Sequence, residues 1–306
     1  MVRKIPGGVY PVMITPYTDD NKIDYNAVEQ LLHWYARKGC SGVFAACQSS
    51  EIFCLTAAER LELVDFIMKH KPDGMAVVAS GHVADDLDTQ IEEAKRIIDT
   101  GIDAYVYISN RFAKKEESDE VMIANMRYVT DALPDVALGV YECPHPYNRL
   151  LTDKVLDFMI EDGRFAFIKD TCCSPALIRH RAEYAGERVG FFNANAATAL
   201  MSMDAGYVGF SGIMANFYPE LIVEMLRCRE TDHDRAQAIQ DFVGFCSAAE
   251  GMAYNMNCKY LLQREGLDIT THTRSGDESR FDTMARIFAD ELYGMTQTFK
   301  AHFGIQ

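Results

Sequence analysis

Residues 165–173 read FAFIKDTCC, and the interpretation of the whole chain starts from this stretch. Its apolar run indicates a buried strand, and Lys169 stands where that strand stops. Burial in apolar surroundings lowers the pKa of a lysine, and the neutral amine is the form that attacks a carbonyl carbon. We therefore interpret Lys169 as a candidate nucleophile. The alternative is an ordinary lysine whose ammonium reaches water at a strand end.

On both sides of this stretch, short apolar runs alternate with amphipathic segments. The predicted strands, with helices between them, lie at residues 8–15, 42–47, 75–80, 104–109, 137–141, 165–169, 189–193 and 206–212. Eight such units predict a parallel barrel or a doubly wound sheet. The chain has neither a GxGxxG after its first strand nor a GxxxxGK[ST] motif, so a nucleotide-binding sheet lacks its phosphate-binding loop. We therefore predict an α/β fold of the (β/α)8 TIM barrel type.

The pattern changes near residue 218. Predicted helices follow at residues 220–230, 235–254, 258–265 and 279–303, with no strand between them. We predict a barrel over residues 1–216 that carries the active site and a C-terminal helical appendage over residues 217–306 that packs on it.

Composition narrows the class of protein. The chain of 306 residues has a formal net charge of −15 and no basic run, which argues against a nucleic-acid partner. We see no signal peptide in the first 17 residues and no apolar stretch of membrane-spanning length, so we expect a cytoplasmic protein without a membrane partner. Nine scattered cysteines favour reduced thiols over a disulfide framework.

In a TIM barrel the active site lies at the carboxyl ends of the strands, so residues that follow the apolar runs should converge there. An amine, a phenol, hydroxyls and amides together are typical of a site that binds a carbonyl compound. The residues selected in this way are Thr15, Gln48, Ser49, Ser50, His82, Asn110, Arg111, Tyr141, Glu142, Lys169, Asn195, Ser211 and Gly212.

Four segments carry a resemblance to a known family: PVMITPY at 11–17, CQSSE at 47–51, YECP at 141–144 and IKDT at 168–171. GFSGIMANFYP at 209–219 and KYLLQREG at 259–266 support it. In these segments the chain resembles the dihydrodipicolinate synthase and N-acetylneuraminate lyase family of class I, Schiff-base pyruvate lyases. The resemblance spans nearly the whole chain. It implies a homotetramer that needs no metal or other cofactor.

The resemblance also implies roles for individual residues. Lys169 is expected to form an imine with a 2-oxo acid, and Tyr141 to shuttle protons beside that nitrogen. The alternative for Tyr141 is a buried tyrosine with a hydrogen-bonded hydroxyl. The loop that reads GTTGE or GSTGE in family members holds the substrate carboxylate, and Ser49 keeps a hydroxyl there. The residues expected to bind substrate are Gln48, Ser49, Ser50, Ser211, Gly212, Arg111 and Glu142.

Two departures from the synthase branch concern its proton relay and its carboxylate-binding arginine. Gln48 replaces a hydroxyl residue of the relay, and Phe112 replaces the tyrosine that completes it. Pro146 stands where the arginine would be. Arg111 and Arg149 are the candidates to replace it, and the alternative for Arg149 is an ordinary surface residue. Dihydrodipicolinate synthesis is therefore doubtful.

A changed distal pocket follows from these departures. Glu142 replaces a common asparagine, and with Gln48 and His82 it would make this part of the pocket hydrogen-bonding, as a hydroxylated substrate requires. We expect a lyase, aldolase or dehydratase that acts on pyruvate or a sugar-derived 2-oxo acid.

Two other functions stay open. The first is a catalytically silent family member that binds a 2-oxo acid as a sensor or scaffold. The second is a metal-assisted aldolase whose soft ligands come from cysteines with His82 or His145. Against the second, neighbouring residues of a strand point to opposite faces, so Cys172 and Cys173 should not both point inward. We interpret these cysteines as small buried apolar residues, namely Cys47, Cys143, Cys172 and Cys173.

Overall fold

Eight parallel strands form the centre of the molecule in the computed structural model, which describes residues 4–305. The strands are β1 (Gly8–Val9), β2 (Gly42–Ala45), β3 (Ala76–Ala79), β4 (Ala104–Ile108), β5 (Ala137–Tyr141), β6 (Phe165–Asp170), β7 (Phe191–Asn193) and β8 (Gly209–Phe210). Their order is β1-β8-β7-β6-β5-β4-β3-β2, and the parallel pairing of Val12 with Phe44 brings the chain after β1 beside β2. The predicted (β/α)8 TIM barrel is confirmed.

A helix follows each strand and covers the outside of the barrel. The helices are α1 (Tyr25–Arg37), α2 (Ala57–His70), α3 (Leu87–Ile98), α4 (Asp119–Asp131), α5 (Asp153–Asp162), α6 (Pro175–Ala185), α7 (Ala199–Ala205) and α8 (Pro219–Cys228). The capping box at the start of α2 is present, since the Thr56 hydroxyl accepts from the Glu59 N–H and the Glu59 carboxylate accepts from the Thr56 N–H. This arrangement satisfies two N–H groups that the helix leaves without partners.

The core has two layers separated by the strands. Phe44, Val106 and Phe167 belong to the cluster that fills the barrel, whereas Ile168 packs with the helices outside. Because side chains alternate along a strand, Lys169 shares the inner face with Phe167. The lysine therefore stands on top of a packed interior, at the carboxyl end of the barrel.

Helices α9 (His233–Cys246), α10 (Met256–Arg264) and α11 (Thr283–Phe303) form the C-terminal region. The helix predicted over residues 235–254 ends at Cys246, and Ser247–Gly251 forms a 3₁₀ turn instead. The residues that follow are held at the barrel mouth, where the Asn255 amide contacts Glu51. Tertiary contacts override helix propensity here.

Other differences concern the bounds of the elements. The strands predicted at residues 8–15 and 206–212 shrink to two residues each in β1 and β8. Helix α8 contacts β1 and so completes the last strand–helix unit. The division of the chain at residue 216 stays a prediction. No helix among residues 4–305 has the length and apolar character needed to cross a membrane.

Helix α11 is fastened to the barrel by a buried ion cluster. The carboxylate of Glu220, on α8, contacts the ammonium groups of both Lys38 and Lys300. Lys38 also pairs with Glu265 at 3.0 Å. The cluster joins the C-terminal end of α1, where Lys38 is the residue after the helix, to Glu220 of α8 and Lys300 of α11.

Changing Glu220 to glutamine is expected to lower the free energy of unfolding by about 3 kcal/mol, because Lys300 would lose its carboxylate in a nearly buried position. Urea or guanidinium titration of the purified protein measures this difference. The matched control is Glu187→Gln, since Glu187 is 92% exposed and pairs with Lys4 at the surface. Equal stability of the two variants would show that the cluster does not fasten α11.

Candidate active site

A cavity of about 770 Å³ opens at the carboxyl ends of the strands. Lys169 and Tyr141 line it, together with Gln48, Ser49 and Gly212. Asn195, which the convergence argument also selected, lies in the same wall. The structure therefore brings together six of the residues that sequence reasoning placed here.

Lys169 presents its amine to this cavity. Lys169 is 5% exposed, and its Nζ lies 4.1 Å from the centroid of the Tyr141 ring. Tyr141 is paired with Lys169 in the register of β5 and β6. Within the described part of the chain, no hydrogen bond or ion pair engages Nζ. Burial lowers the pKa of Lys169, an effect only partly offset by the charges of Cys47, Cys143 and Glu250. The neutral form of the Lys169 amine is therefore more populated at a given pH than that of a free lysine.

The Tyr141 hydroxyl is bound to an amide. It donates to Oε1 of Gln48 at 2.8 Å, and the Cys143 thiol reaches the same oxygen at 3.4 Å. Burial, reinforced by Cys143, raises the pKa of Tyr141 well above its usual value. Tyr141 is therefore a phenol at neutral pH. An amide oxygen accepts its hydrogen bond but has no proton to pass on.

The CQSSE loop divides its side chains between the cavity and the protein interior. Ser49 lines the cavity, whereas the Ser50 hydroxyl donates to the Met13 carbonyl at 2.6 Å and accepts from the Cys47 N–H. The Thr15 hydroxyl in turn donates to the Ser50 carbonyl. This corrects the expectation that Ser50 contacts substrate, because its hydroxyl holds the loop in place.

Glu51 ends that loop and fastens the C-terminal region to it. Its carboxylate accepts from the backbone N–H groups of Arg274 and Ser275, both at 2.6 Å, and from the hydroxyl of Thr273 at 2.9 Å. The Asn255 amide donates to the other oxygen at 3.2 Å. These bonds bring Asn255, Arg274 and Ser275 to the cavity wall.

Glu142 lies outside the cavity. Its carboxylate pairs with Arg181 at 2.6 Å and accepts from the N–H groups of Leu151 and Thr171. The expectation that Glu142 makes the distal pocket polar is therefore wrong. Its neighbour Tyr141 already faces the cavity, and successive side chains of a strand alternate.

Neither of the two candidate arginines lines the cavity. Arg111 pairs with Asp85 at 2.9 Å and stacks over the ring of Phe53, which is itself part of the wall. Arg149 is only 9% exposed and donates to backbone carbonyls and to Asp119, so it is not the surface residue of the alternative interpretation. The prediction that Arg111 or Arg149 replaces the carboxylate-binding arginine is therefore wrong, because both guanidinium groups bind other residues outside the cavity.

His82 and Phe112 form part of the core beside β4. One ring nitrogen of His82 pairs with the Gln90 amide oxygen at 2.7 Å, and the other accepts from the Ile108 N–H. Burial lowers the pKa of His82 to about 4, against the opposing effect of the Gln90 bond. Phe112 packs against the His82 ring at 4.6 Å. The expected contribution of His82 to the distal pocket is therefore wrong.

The loop after β8 contributes Gly212 but not Ser211. Ser211 is fully buried, and its hydroxyl finds no partner among residues 4–305. A side chain at Gly212 would place its Cβ 2.2 Å from the carbonyl oxygen of Ala194. The close approach of the two loops therefore requires glycine at this position.

Sequence reasoning missed the segment that crosses the mouth after α9. Glu250, Tyr254 and Asn255 all line the cavity. The Tyr254 hydroxyl accepts from the Asn216 amide at 3.0 Å. Burial raises the pKa of Glu250 to about 7, while the charge of Lys169 acts in the opposite direction. Gly251, which disfavours a helix, was the sequence signal for this break.

The cysteines divide between core and cavity. Cys47 and Cys143 are buried, Cys172 packs against the outer core, and Cys173 is exposed and lines the cavity. The expectation of burial is therefore wrong for Cys173. Among residues 4–305, no three His, Cys, Asp or Glu side chains are grouped so that they could hold a metal ion.

Comparisons with known proteins agree with this architecture. A solved dihydrodipicolinate synthase from Bacillus anthracis superposes with a TM-score of 0.86 at 16% identity, covering 95% of this chain and 99% of that one. A prophage protein of the dihydrodipicolinic acid synthase family from E. coli, solved in complex with pyruvate, superposes with a TM-score of 0.84 at 19% identity, covering 94% and 98%. At these identities the likeness concerns the fold.

Sequence comparisons identify the family. An uncharacterized DapA-like lyase of Chloroflexus aurantiacus is 28% identical over 170 residues, which span 54% of this chain and 56% of that relative. The sequence profile described as the dihydrodipicolinate synthetase family matches residues 5–276, which is most of the chain. The resemblance found in the sequence motifs is confirmed. The chain belongs to the dihydrodipicolinate synthetase family.

Proposed function

We propose that this protein is a Schiff-base-forming lyase or aldolase, or a dehydratase of the same chemistry, that acts on a pyruvate-type 2-oxo acid through Lys169. The observation that carries the proposal is the state of the Lys169 amine. It is buried, it faces the cavity, and no group among residues 4–305 binds its Nζ. These are the conditions under which an amine attacks a ketone at neutral pH.

The proposed reaction begins when Nζ of Lys169 adds to the ketone carbon. Loss of water from the carbinolamine then gives an iminium ion, whose positive nitrogen accepts the electron pair of a neighbouring bond as that bond breaks. Tyr141, whose ring lies beside Nζ, is the proposed donor of the proton that leaves with the carbinolamine oxygen. Membership in the family and the pyruvate bound to the E. coli relative support this assignment.

The character of the cavity indicates the second part of the substrate. Arg274 lines the mouth, but its guanidinium donates to Glu59 and to the Asn21 carbonyl. The wall carries amide and hydroxyl groups, among them those of Asn148 and Asn195. We propose a hydroxylated 2-oxo acid, such as one derived from a sugar, because these groups recognise hydroxyls without requiring a second carboxylate. Ser49 and the loop at Gly212 are the proposed carboxylate site.

Trapping of the imine tests this proposal. The protein is incubated with pyruvate, reduced with borohydride, and digested for mass spectrometry. We expect a reduced pyruvate adduct on Lys169. An adduct on a different lysine, or none with pyruvate and longer 2-oxo acids, would contradict the proposal.

The catalytically silent alternative is supported by the bond between Tyr141 and Gln48, which ends the family's proton relay at an amide. A sensor of this kind would bind a 2-oxo acid without turning it over. It is distinguished by an adduct on Lys169 together with no product from any aldehyde or sugar acid tested. The cytoplasmic location and the homotetramer stay predictions from the family resemblance.

Changing Tyr141 to phenylalanine is expected to reduce turnover by about 10²–10⁴-fold, because it removes the proposed proton donor while keeping the ring. Borohydride trapping should become slower but should still modify Lys169. The matched control is Tyr107→Phe, since Tyr107 packs in the outer core away from the cavity. Unchanged turnover in Tyr141→Phe would leave Tyr141 with the role of a buried structural tyrosine.

A further inference from the structure

We propose that Glu250 is a third catalytic residue, which takes and returns the proton on the substrate carbon next to the imine. This inference rests on the proposed imine at Lys169 and adds a further residue to the proposed mechanism. Glu250 lies in the 3₁₀ turn Ser247–Gly251 and lines the same cavity as Lys169. It reaches this position only because α9 ends at Cys246.

The Glu250 carboxyl group makes no hydrogen bond or ion pair to residues 4–305. The side chain is half-buried. A carboxyl group that lines the cavity and makes no bond to the described residues is available to a substrate bound there. Lys169 lines the same cavity, and a negative charge on Glu250 raises the pKa of its amine, against the larger effect of burial.

The other carboxyl group in the cavity wall is committed to structure. Glu51 accepts hydrogen bonds from Thr273, Arg274 and Ser275. Protonation of Glu51 would disrupt the bonds that hold the C-terminal loop. Among the lining residues of the described chain, Glu250 is therefore the carboxyl group that is free to exchange a proton with substrate.

Tyr141 is poorly suited to this second task. Its hydroxyl donates to Gln48, and its pKa lies well above the usual value because of burial. A phenol with those properties can donate a proton but is slow to act as a base at neutral pH. The raised pKa of Glu250, about 7, is matched to proton transfer in both directions.

His145 is the competing base. It lines the cavity, but its ring packs against Phe53 at 5.3 Å, on the side of the β5 loop. We therefore propose Glu250 as the base, and the variants described below distinguish it from His145.

The proposed step balances without a further reactant. The Glu250 carboxylate takes a proton from C3 of the iminium ion. The C–H electron pair becomes the second bond of C2=C3, and the π electrons of the C=N bond move to nitrogen. Return of the proton to C3 reverses the step. In cleavage of a 4-hydroxy substrate, the carboxylate takes the hydroxyl proton, the C3–C4 bond breaks to release an aldehyde, and the same carboxyl group protonates the enamine at C3.

Exchange of the methyl protons of pyruvate in D₂O, followed by proton NMR, tests this role without knowledge of the second substrate. Borohydride trapping is measured in parallel. We expect Glu250→Gln to trap pyruvate on Lys169 to the extent of the wild-type protein and to slow methyl exchange by about 100-fold or more. Glu250→Asp keeps a carboxyl group and should recover part of the exchange.

Two control variants accompany them. Glu183→Gln removes an exposed carboxyl group on α6 and should exchange pyruvate like the wild-type protein. His145→Gln tests the competing base and should exchange the methyl protons of pyruvate faster than Glu250→Gln. Exchange that is lost in His145→Gln and kept in Glu250→Gln would assign the base to the imidazole and overturn the proposal.

The remaining outcomes are also decisive. Wild-type protein that traps pyruvate but does not exchange its methyl protons would overturn the role of Glu250 and leave the imine intact. Absence of trapping in the wild-type protein would overturn both proposals. A Glu250→Gln protein that no longer traps pyruvate would place the residue in imine formation or in folding, which also contradicts proton transfer at carbon.

Discussion

Lys169→Ala is expected to reduce turnover by a factor on the order of 10⁴ or more, because the variant has no nitrogen with which to form the imine. Borohydride in the presence of pyruvate should leave the variant unmodified. The fold should persist, since the methyl group of alanine remains on the packed interior formed by Phe44 and Phe167. Lys95→Ala is the control, because Lys95 is exposed on α3. Full activity in Lys169→Ala would exclude the imine mechanism.

The pH dependence of adduct formation gives a second test of the same residue. Burial lowers the pKa of Lys169 below the ordinary 10.5, so the neutral amine appears at a lower pH than in a free lysine. The rate of trapping should therefore rise with pH and level off before pH 10.5. A rate that still rises steeply there would show that the cavity does not lower the pKa of this amine.

The sequence predicted the barrel and the position of Lys169 because parallel strands are buried on both faces. Each strand is then a short apolar run, and the residue after it lies at the mouth. Because side chains alternate along a strand, the position of a residue also determines whether its side chain points into the barrel or towards the helices outside. The prediction that Cys172 and Cys173 would not both point inward rests on this rule. If the same rule had been applied to Tyr141 and Glu142, it would have excluded Glu142 from the predicted site.

One part of the wall was not predictable from strand ends, because it comes from the C-terminal region. Glu250 and Tyr254 lie in a segment that reads as the end of a long helix, and only Gly251 argues against that interpretation. Arg274 and Ser275 lie in the loop between α10 and α11, and its docking on Glu51 is a contact over more than 200 residues of chain, for which no local pattern exists. Long-range contacts of this kind decide which polar residues face substrate.

A buried ion cluster joins the carboxyl ends of β5 and β6, next to Lys169 in the chain. The Arg181 guanidinium is fully buried and pairs with Glu142 at 2.6 Å and with Asp170 at 2.8 Å. Asp170 follows Lys169 directly and also accepts from the Tyr207 hydroxyl. Burial is the largest effect and raises the pKa of Asp170, but the charge of Arg181 and the hydrogen bonds from Tyr207 and Cys172 together hold the pKa below its usual range. This contribution to stability is present above the ordinary pKa of an aspartate and is lost as the pH falls through the lowered one.

Arg181→Met is therefore expected to lower the free energy of unfolding by about 3–5 kcal/mol, because it leaves two buried carboxyl groups without their cation. Denaturant titration measures the loss, and Arg179→Met, at an exposed position of the same helix, should be close to the wild-type protein. The sign of the contribution that Asp170 makes to the pH dependence of stability should also reverse. Without Arg181, Glu142 and Asp170 repel each other in the core, which raises the pKa of the pair, so the folded state binds more protons than the unfolded chain. The stability of the variant should then fall as the pH rises from about 5 to about 8. A variant that becomes more stable over that range would show that the guanidinium does not neutralise this pair.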